Sequence, residues 1–98
     1  MYFTRIEKYL YNCCMEKLEY IFDVQLLVEG NDVKLESIKA HLEKCKGDSL
    51  LVVGDDGFVK VHFHTNEPWD TLKYCAGCGV IHDIVVENMQ KQQEDFLS

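Results

Sequence analysis

Apolar residues recur along the chain with two different periods, and the changes between them predict the order of helices and strands. A period of three to four over about residues 5–17, after the capping-box pair Thr4-x-x-Glu7, predicts an amphipathic helix. Its apolar side carries Ile6, Tyr9, Leu10, Cys13 and Cys14. From Tyr20 the period changes to two, which predicts a first strand that ends at Gly30-Asn31.

A second helix is predicted between Asp32, as its N-cap, and Gly47, as a left-handed C-cap. Its apolar side carries Leu35, Ile38, Leu42 and Cys45. The run from Ser49 to Val53 is rich in residues that favour strands, and so is the run from Phe58 to His64. Asp56-Gly57 between them has the composition of a tight hairpin turn, so strands two and three should be antiparallel neighbours.

A third helix is predicted to begin at Pro68, because the missing N–H of proline has no cost in a first helical turn. Asn66 or Glu67 would cap this helix, and Gly77 or Gly79 would end it. Its apolar stripe consists of Trp69, Leu72 and Ala76. These positions are spaced to face one neighbouring layer of the fold.

A fourth strand over Val80 to Glu87 completes the order β-α-β-β-α-β, the ferredoxin-like split pattern. Right-handed crossovers would place strands one and three in the middle of an antiparallel sheet, with both helices on one face. We therefore predict an α+β domain over residues 18–89, preceded by an extra helix within 1–17. The polar tail 90–98 is interpreted as a linker to a further domain.

Alternation along strands one and three predicts a polar cluster on the face of the sheet that the helices leave open. Lys60, His62 and His64 should point to this face, because Val59, Val61 and Phe63 between them should point to the helices. Asp23 and Gln25 on strand one should lie beside the histidines. The sequence thus predicts two imidazoles, a carboxylate and an amide on neighbouring central strands.

Three interpretations of this cluster are open. Imidazole transfers protons near neutral pH and binds borderline metals, and a carboxylate can orient it, so the first is a catalytic site and the second a zinc site of His62, His64 and Asp23. A solvated polar face without chemistry is the plainer alternative. In a third functional interpretation the domain only holds chains together, through an apolar strip that a second copy covers. That strip would consist of Leu27, Leu51, Val53 and Val85.

Composition narrows the class of protein. A net charge of −7, from 10 Lys and Arg against 17 Asp and Glu, argues against nucleic-acid partners and anionic membranes. No apolar run approaches the roughly 20 residues of a membrane span, and the N-terminus does not resemble a signal peptide. Five cysteines, with Cys13 next to Cys14, favour free thiols in a reducing cytoplasm.

Cys75-Ala-Gly-Cys78 has the spacing of zinc and redox sites, yet we predict that its cysteines are packing residues. No second pair of similar spacing exists in the chain. The motif also lies at the end of a predicted helix, where the helix dipole does not lower a thiol pKa. His41 and His82 stand alone, and we predict no function for either.

Four segments together resemble the middle domain of bacterial fatty acid kinase and related dihydroxyacetone kinase-like proteins. They are Gly47-Asp48-Ser49-Leu50-Leu51-Val52-Val53-Gly54-Asp55, Val59-Lys60-Val61-His62-Phe63-His64-Thr65, Pro68 and Val85-Val86-Glu87-Asn88-Met89-x-x-Gln92. The resemblance covers about residues 18–96, and the combination of segments is more specific than any one of them. Some members of the group are labelled phosphatases.

The resemblance implies a domain that is inactive alone and belongs to a larger kinase. It implies an N-terminal kinase domain that binds ATP with magnesium, a homodimer formed by this middle domain, and a C-terminal domain that docks a fatty-acid-binding partner protein. His62 and His64 match the family's functional histidines. The family's strand-one cysteine is absent, and Asp23 or Gln25 occupies that strand. We assign Asp23 with the histidines to catalysis, and Gln25 and Lys60 to substrate binding, with no cofactor held by this domain.

Overall fold

Four antiparallel strands and three helices form the part of the chain that the structure, a computed structural model, describes, residues 18–97. The helix predicted over residues 5–17 lies outside this part. In chain order the elements are β1 Phe22–Glu29, α1 Leu35–Glu43, β2 Asp48–Asp55, β3 Phe58–Thr65, α2 Pro68–Cys78, β4 Val80–Asn88 and α3 Met89–Leu97. The predicted α+β class is confirmed, with one more helix than predicted for the segment after β4.

The strands follow the order β2-β3-β1-β4 across the sheet. β1 runs antiparallel to both β3 and β4, and β3 runs antiparallel to β2. β1 and β3 are therefore the central neighbours, as predicted. Their pairing has no register shift, which places Asp23 opposite His64 and Gln25 opposite His62.

One face of the two central strands forms the core with α1 and α2. Each buried aliphatic or aromatic side chain contributes about 1.5–3 kcal/mol relative to its exposed state. The core consists of Val24, Leu26 and Val28 of β1, Val59, Val61 and Phe63 of β3, Ile38 and Leu42 of α1, Cys75 of α2, and Val33. The predicted alternation of both central strands is confirmed by these burial patterns.

The ends of α1 differ from the prediction. Its N-cap is Lys34 rather than Asp32, and the N–H of Leu35 donates to Oδ1 of Asp56 at 3.0 Å. Its C-cap is Lys44 in the right-handed region, and Gly47 has no positive φ. Because α1 ends early, Cys45 leaves the helix and is exposed rather than buried on its apolar side.

Gly47 is needed for close packing rather than for capping. A Cβ on this residue would lie 2.3 Å from the Phe63 ring and 2.4 Å from the carbonyl oxygen of His64. Only glycine lets the chain pass this close to the end of β3. The start of β2 is thereby pressed against His64.

The predicted apolar stripe of α2 is wrong at two of its three positions. Trp69 is 59% exposed and Ala76 is also exposed, whereas Pro68, Thr71 and Cys75 are buried. The buried positions recur every three to four residues and turn to the sheet, so Trp69 lies beside the buried stripe. The predicted cap Glu67 and end Gly79 are confirmed, although Glu67 makes no side-chain capping bond.

The segment Gln90 to Glu94 is helical rather than an extended linker. It lies within α3, where Oδ1 of Asn88 accepts the N–H of Lys91 at 2.7 Å, the bond of an N-cap residue. The N–H of Met89 donates to the carbonyl of Ile21 at 2.7 Å, so α3 is fixed to the start of β1. Among the helices of residues 18–97, none combines the length and the apolar character that crossing a membrane requires.

Candidate functional site

Asp23, His62 and His64, which we call the trio, meet on the open face of the sheet, the face opposite the core. Oδ1 of Asp23 lies 3.6 Å from Nε2 of His62 and 3.7 Å from Nε2 of His64. The two Nε2 atoms are 3.2 Å apart. The unbroken pairing of β1 with β3 brings these atoms together, because paired residues of an antiparallel ladder share a face.

The trio is partly withdrawn from water. The side chains of Asp23, His62 and His64 are 15%, 29% and 23% exposed. Oδ2 of Asp23 accepts a hydrogen bond from Nε2 of Gln25 at 3.3 Å, while Oδ1 is buried and has no hydrogen-bond partner. Burying an acceptor without a partner costs about 1–3 kcal/mol. The trio therefore has an unused carboxylate oxygen that faces two imidazole nitrogens.

The three converging atoms have the spacing of ligands around a tetrahedral metal ion. Ligand atoms bonded at about 2.0–2.1 Å with tetrahedral angles lie about 3.3 Å from one another. The observed separations of 3.2, 3.6 and 3.7 Å are close to this value. Within residues 18–97 the trio is the one group of three potential metal ligands whose ligand atoms all lie within 4.8 Å.

Asp48 is a residue of this region that we did not predict. Its Oδ1 lies 3.5 Å from Nδ1 of His64, on the opposite side of the imidazole ring from the trio. The pairing of β2 with β3 shifts between Asp48 and Leu51, where Ser49 has a φ of 55°. Strict alternation from Leu51 would point Asp48 to the core, and the bulge reverses this. Gly47 directly before a strand was the available signal.

Gln25 and Lys60 share the open face with the trio. Gln25 contacts Asp23, which gives it an orienting contact within the site. Lys60 is exposed and lies two positions before His62 on β3, with Leu27 of β1 and Val53 of β2 as its paired neighbours. The assignment of both residues to substrate binding stays a prediction.

The predicted apolar strip lies on the open face but is divided. Leu51 and Val53 are 54% and 41% exposed on β2, and Val85 is 42% exposed on β4. Leu51 pairs with His62, and Val85 pairs with Gln25 on the other side of the histidines. A partner that covered the whole strip would also cover the trio.

The remaining thiols and histidines lie apart from the trio. Cys75 is buried in the core, and burial raises the pKa of its thiol to about 12, so this thiol is unreactive at neutral pH. Cys78 packs against the same core. His41 stacks on Tyr74 with ring centroids 3.6 Å apart.

His82 forms a second cluster on the open face, with Glu29 and Asp83. Its Nε2 is hydrogen bonded to Oε1 of Glu29, and its Nδ1 lies 3.4 Å from Oδ1 of Asp83. The hydrogen bond to Glu29 raises the pKa of His82 above its ordinary value, with a smaller contribution from Asp83. We call these three residues the His82 cluster.

Residues 19–96 match the family model of the FakA-like middle domain of fatty acid kinase. Protein YloV of Bacillus subtilis is 33% identical over 87 residues, which cover 85% of this chain and 16% of YloV. An uncharacterized protein of Staphylococcus epidermidis is 45% identical over 51 residues, 52% of this chain and 9% of that protein. The chain thus corresponds to a small part of the length of these relatives.

Proposed function

Because the chain belongs to the FakA-like middle-domain family of fatty acid kinase, we propose that it supports ATP-dependent phosphoryl transfer in a larger kinase. The observation that carries this proposal is the convergence of Asp23, His62 and His64 within 3.7 Å on an accessible sheet face. Nucleotide and magnesium would bind to a kinase domain outside this chain. A fatty-acid-binding protein would present the acceptor.

The chemistry of the trio suits this role. Phosphoryl transfer depends mainly on positioning and on stabilising charge that spreads over the phosphate oxygens. Imidazole N–H groups can donate to such oxygens, and Asp23 beneath them holds the rings and balances their charge. Lys60 on the same strand would add a positive charge toward the phosphate, and Gln25 would keep Asp23 in place. Asp23 here serves where the related proteins have a cysteine.

The test of this proposal is ATP-dependent acyl phosphate formation by a complete kinase that contains this domain, with its acceptor-loaded partner protein. His62→Ala and His64→Ala should each lower the rate by about 10²–10⁴-fold, the range of acid–base and charge-stabilising groups. His41→Ala on α1 is the matched control and should keep the rate. Unchanged rates in both trio variants would show that the histidines are not catalytic.

A second candidate function, zinc binding by the trio, is favoured by the ligand spacing and by the unpartnered Oδ1 of Asp23. Two histidines and a carboxylate are the protein ligands of open zinc sites, whose fourth position takes water or a substrate oxygen. A zinc ion held there would supply a Lewis acid for a phosphate oxygen. It would also satisfy the buried carboxylate oxygen.

Metal analysis of the untagged chain tests this second function. We expect one zinc ion per chain in the wild type, loss of zinc in Asp23→Ala and His64→Ala, and full retention in His82→Ala. Substoichiometric zinc in the wild type after purification without chelators would exclude it. Equal loss in His82→Ala would assign the metal to another place.

We also propose two finer structural features. A ferredoxin-like architecture is supported by the element order and by the central position of β1 and β3. Homodimerisation of the domain stays a prediction, and the divided apolar strip supports it only if a second copy covers the trio as well. Sedimentation of wild type against Leu27→Asp tests that arrangement, since an unchanged dimer would place the interface elsewhere.

A further inference from the structure

The chain around Asp48 is held against the end of β3 by several contacts. Oγ1 of Thr65 donates to the carbonyl of Lys46 at 3.2 Å. Gly47 lies so close to Phe63 and His64 that no larger residue would fit. Asp48 then pairs with His64 in the β2–β3 ladder. Its position beside His64 is therefore fixed by the backbone on both sides.

The bulge at Ser49 determines which face Asp48 occupies. Leu50 packs toward the core and Leu51 is exposed on the open face, so regular alternation would send Asp48 to the core. The extra residue Ser49, whose φ of 55° is uncommon for any residue but glycine, returns Asp48 to the open face. Bulges commonly redirect a side chain next to a functional site.

We propose that Asp48 is a positioning residue that holds His64 as the tautomer protonated on Nδ1. Its carboxylate faces Nδ1 at 3.5 Å, while Nε2 of the same ring points into the trio. A proton on Nδ1, shared with Asp48, leaves a lone pair on Nε2. That lone pair faces Nε2 of His62 at 3.2 Å and is the form of His64 that accepts a proton or binds a metal ion.

This inference deepens the proposed function, because the lone pair matters for chemistry only if the trio acts. The tautomer itself is independent of any activity. An experiment on the tautomer can therefore fail or succeed separately from the kinase and zinc experiments.

The test is a long-range ¹H–¹⁵N correlation spectrum of the whole 98-residue chain, at one fixed pH where the His64 ring is neutral. Wild type should show His64 protonated mainly on Nδ1. Asp48→Ala should move most of the proton to Nε2, and Asp48→Glu, which keeps a carboxylate, should restore the wild-type form in part. Asp55→Ala at the other end of β2 is the matched control and should resemble wild type.

The outcomes separate positioning from a merely structural role. A His64 proton on Nε2 in the wild type, or a tautomer that Asp48→Ala leaves unchanged, would overturn the proposal. If Asp48→Ala does not fold, the wild-type and Asp48→Glu spectra still decide it. Where the trio binds zinc, Asp48→Ala should weaken zinc affinity by about 10–100-fold, as outer-shell partners do in other sites. Loss of zinc binding without a tautomer change would count against this assignment.

Discussion

The two histidine clusters on the open face differ in how completely their polar atoms are satisfied. In the His82 cluster both ring nitrogens of His82 face carboxylates, and the side chains of His82, Glu29 and Asp83 are 38%, 50% and 73% exposed. In the trio two rings and one carboxylate face one another, are more buried, and leave Oδ1 of Asp23 without a hydrogen bond. The His82 cluster is complete by itself, whereas the trio has room for a proton or a ligand.

A satisfied cluster stabilises the fold, and an unsatisfied one costs stability that only a ligand or a reaction makes useful. This difference identifies the trio as the site, although both clusters contain a histidine beside acidic residues. Residue type alone would not have separated them.

The largest expected effect comes from disturbing the support of the trio alone. Gly47→Ala should lower the free energy of unfolding by about 1–3 kcal/mol, because its methyl group meets Phe63 and the His64 backbone. Histidine NMR signals should shift for His64 and not for His82. Gly77→Ala in α2, where nothing lies within 4 Å of the new Cβ, should instead raise stability by about 1 kcal/mol.

Chemical denaturation of both glycine variants measures the difference. Equal stability of the two variants would show that the approach of Gly47 to β3 is looser than the structure indicates.

A smaller effect should follow from neutralising the trio's carboxylate. Asp23→Asn should raise the free energy of unfolding of the metal-free protein by about 1 kcal/mol, since it removes a buried carboxylate oxygen without a hydrogen bond. Zinc should raise the melting temperature of wild type and not that of Asp23→Asn, if the trio binds it. Asp55→Asn, an exposed carboxylate of β2, should change stability by less than about 0.5 kcal/mol. A less stable Asp23→Asn would mean that the trio already satisfies this oxygen.

The smallest effect concerns the pH dependence of the His82 cluster. The folded state raises the pKa of His82 above 6.5, mainly through Glu29, so the stability from this pair is fully present below the unfolded pKa. It is lost as the pH rises through the folded pKa. Glu29→Gln should therefore lower the melting temperature at mildly acid pH and leave it nearly unchanged at alkaline pH. A constant difference across this range would show that Glu29 acts by packing rather than by charge.

The sequence predicted the trio correctly because β1 and β3 pair without a register shift. Strict alternation along both strands was enough to place Asp23 beside His64. The same reasoning failed for Asp48, because the bulge at Ser49 adds one residue and reverses the faces before it. A bulge depends on pairing with another strand, and the period of one strand does not reveal it.

Helix ends were harder to predict than strand faces. The turn at Asp56-Gly57 was predicted correctly, since it needs the positive φ of 92° that Gly57 supplies. Gly47 was interpreted as a cap, but its role is a long-range contact with Phe63. α3 was missed because its sequence is polar and is fixed by Asn88 and by the start of β1 rather than by an apolar stripe.

The two bulges also bear on how this sheet behaves in a crowded solution. β2 and β4 are the outer strands, and each contains one residue with positive φ, Ser49 and Asp83, next to a shift in pairing. A flat outer strand offers its free N–H and C=O groups to other chains and so promotes aggregation. A bulge twists the strand and interrupts that row of groups. The backbone distortion that directs Asp48 to His64 thus also protects one border of the sheet from growing by strand addition.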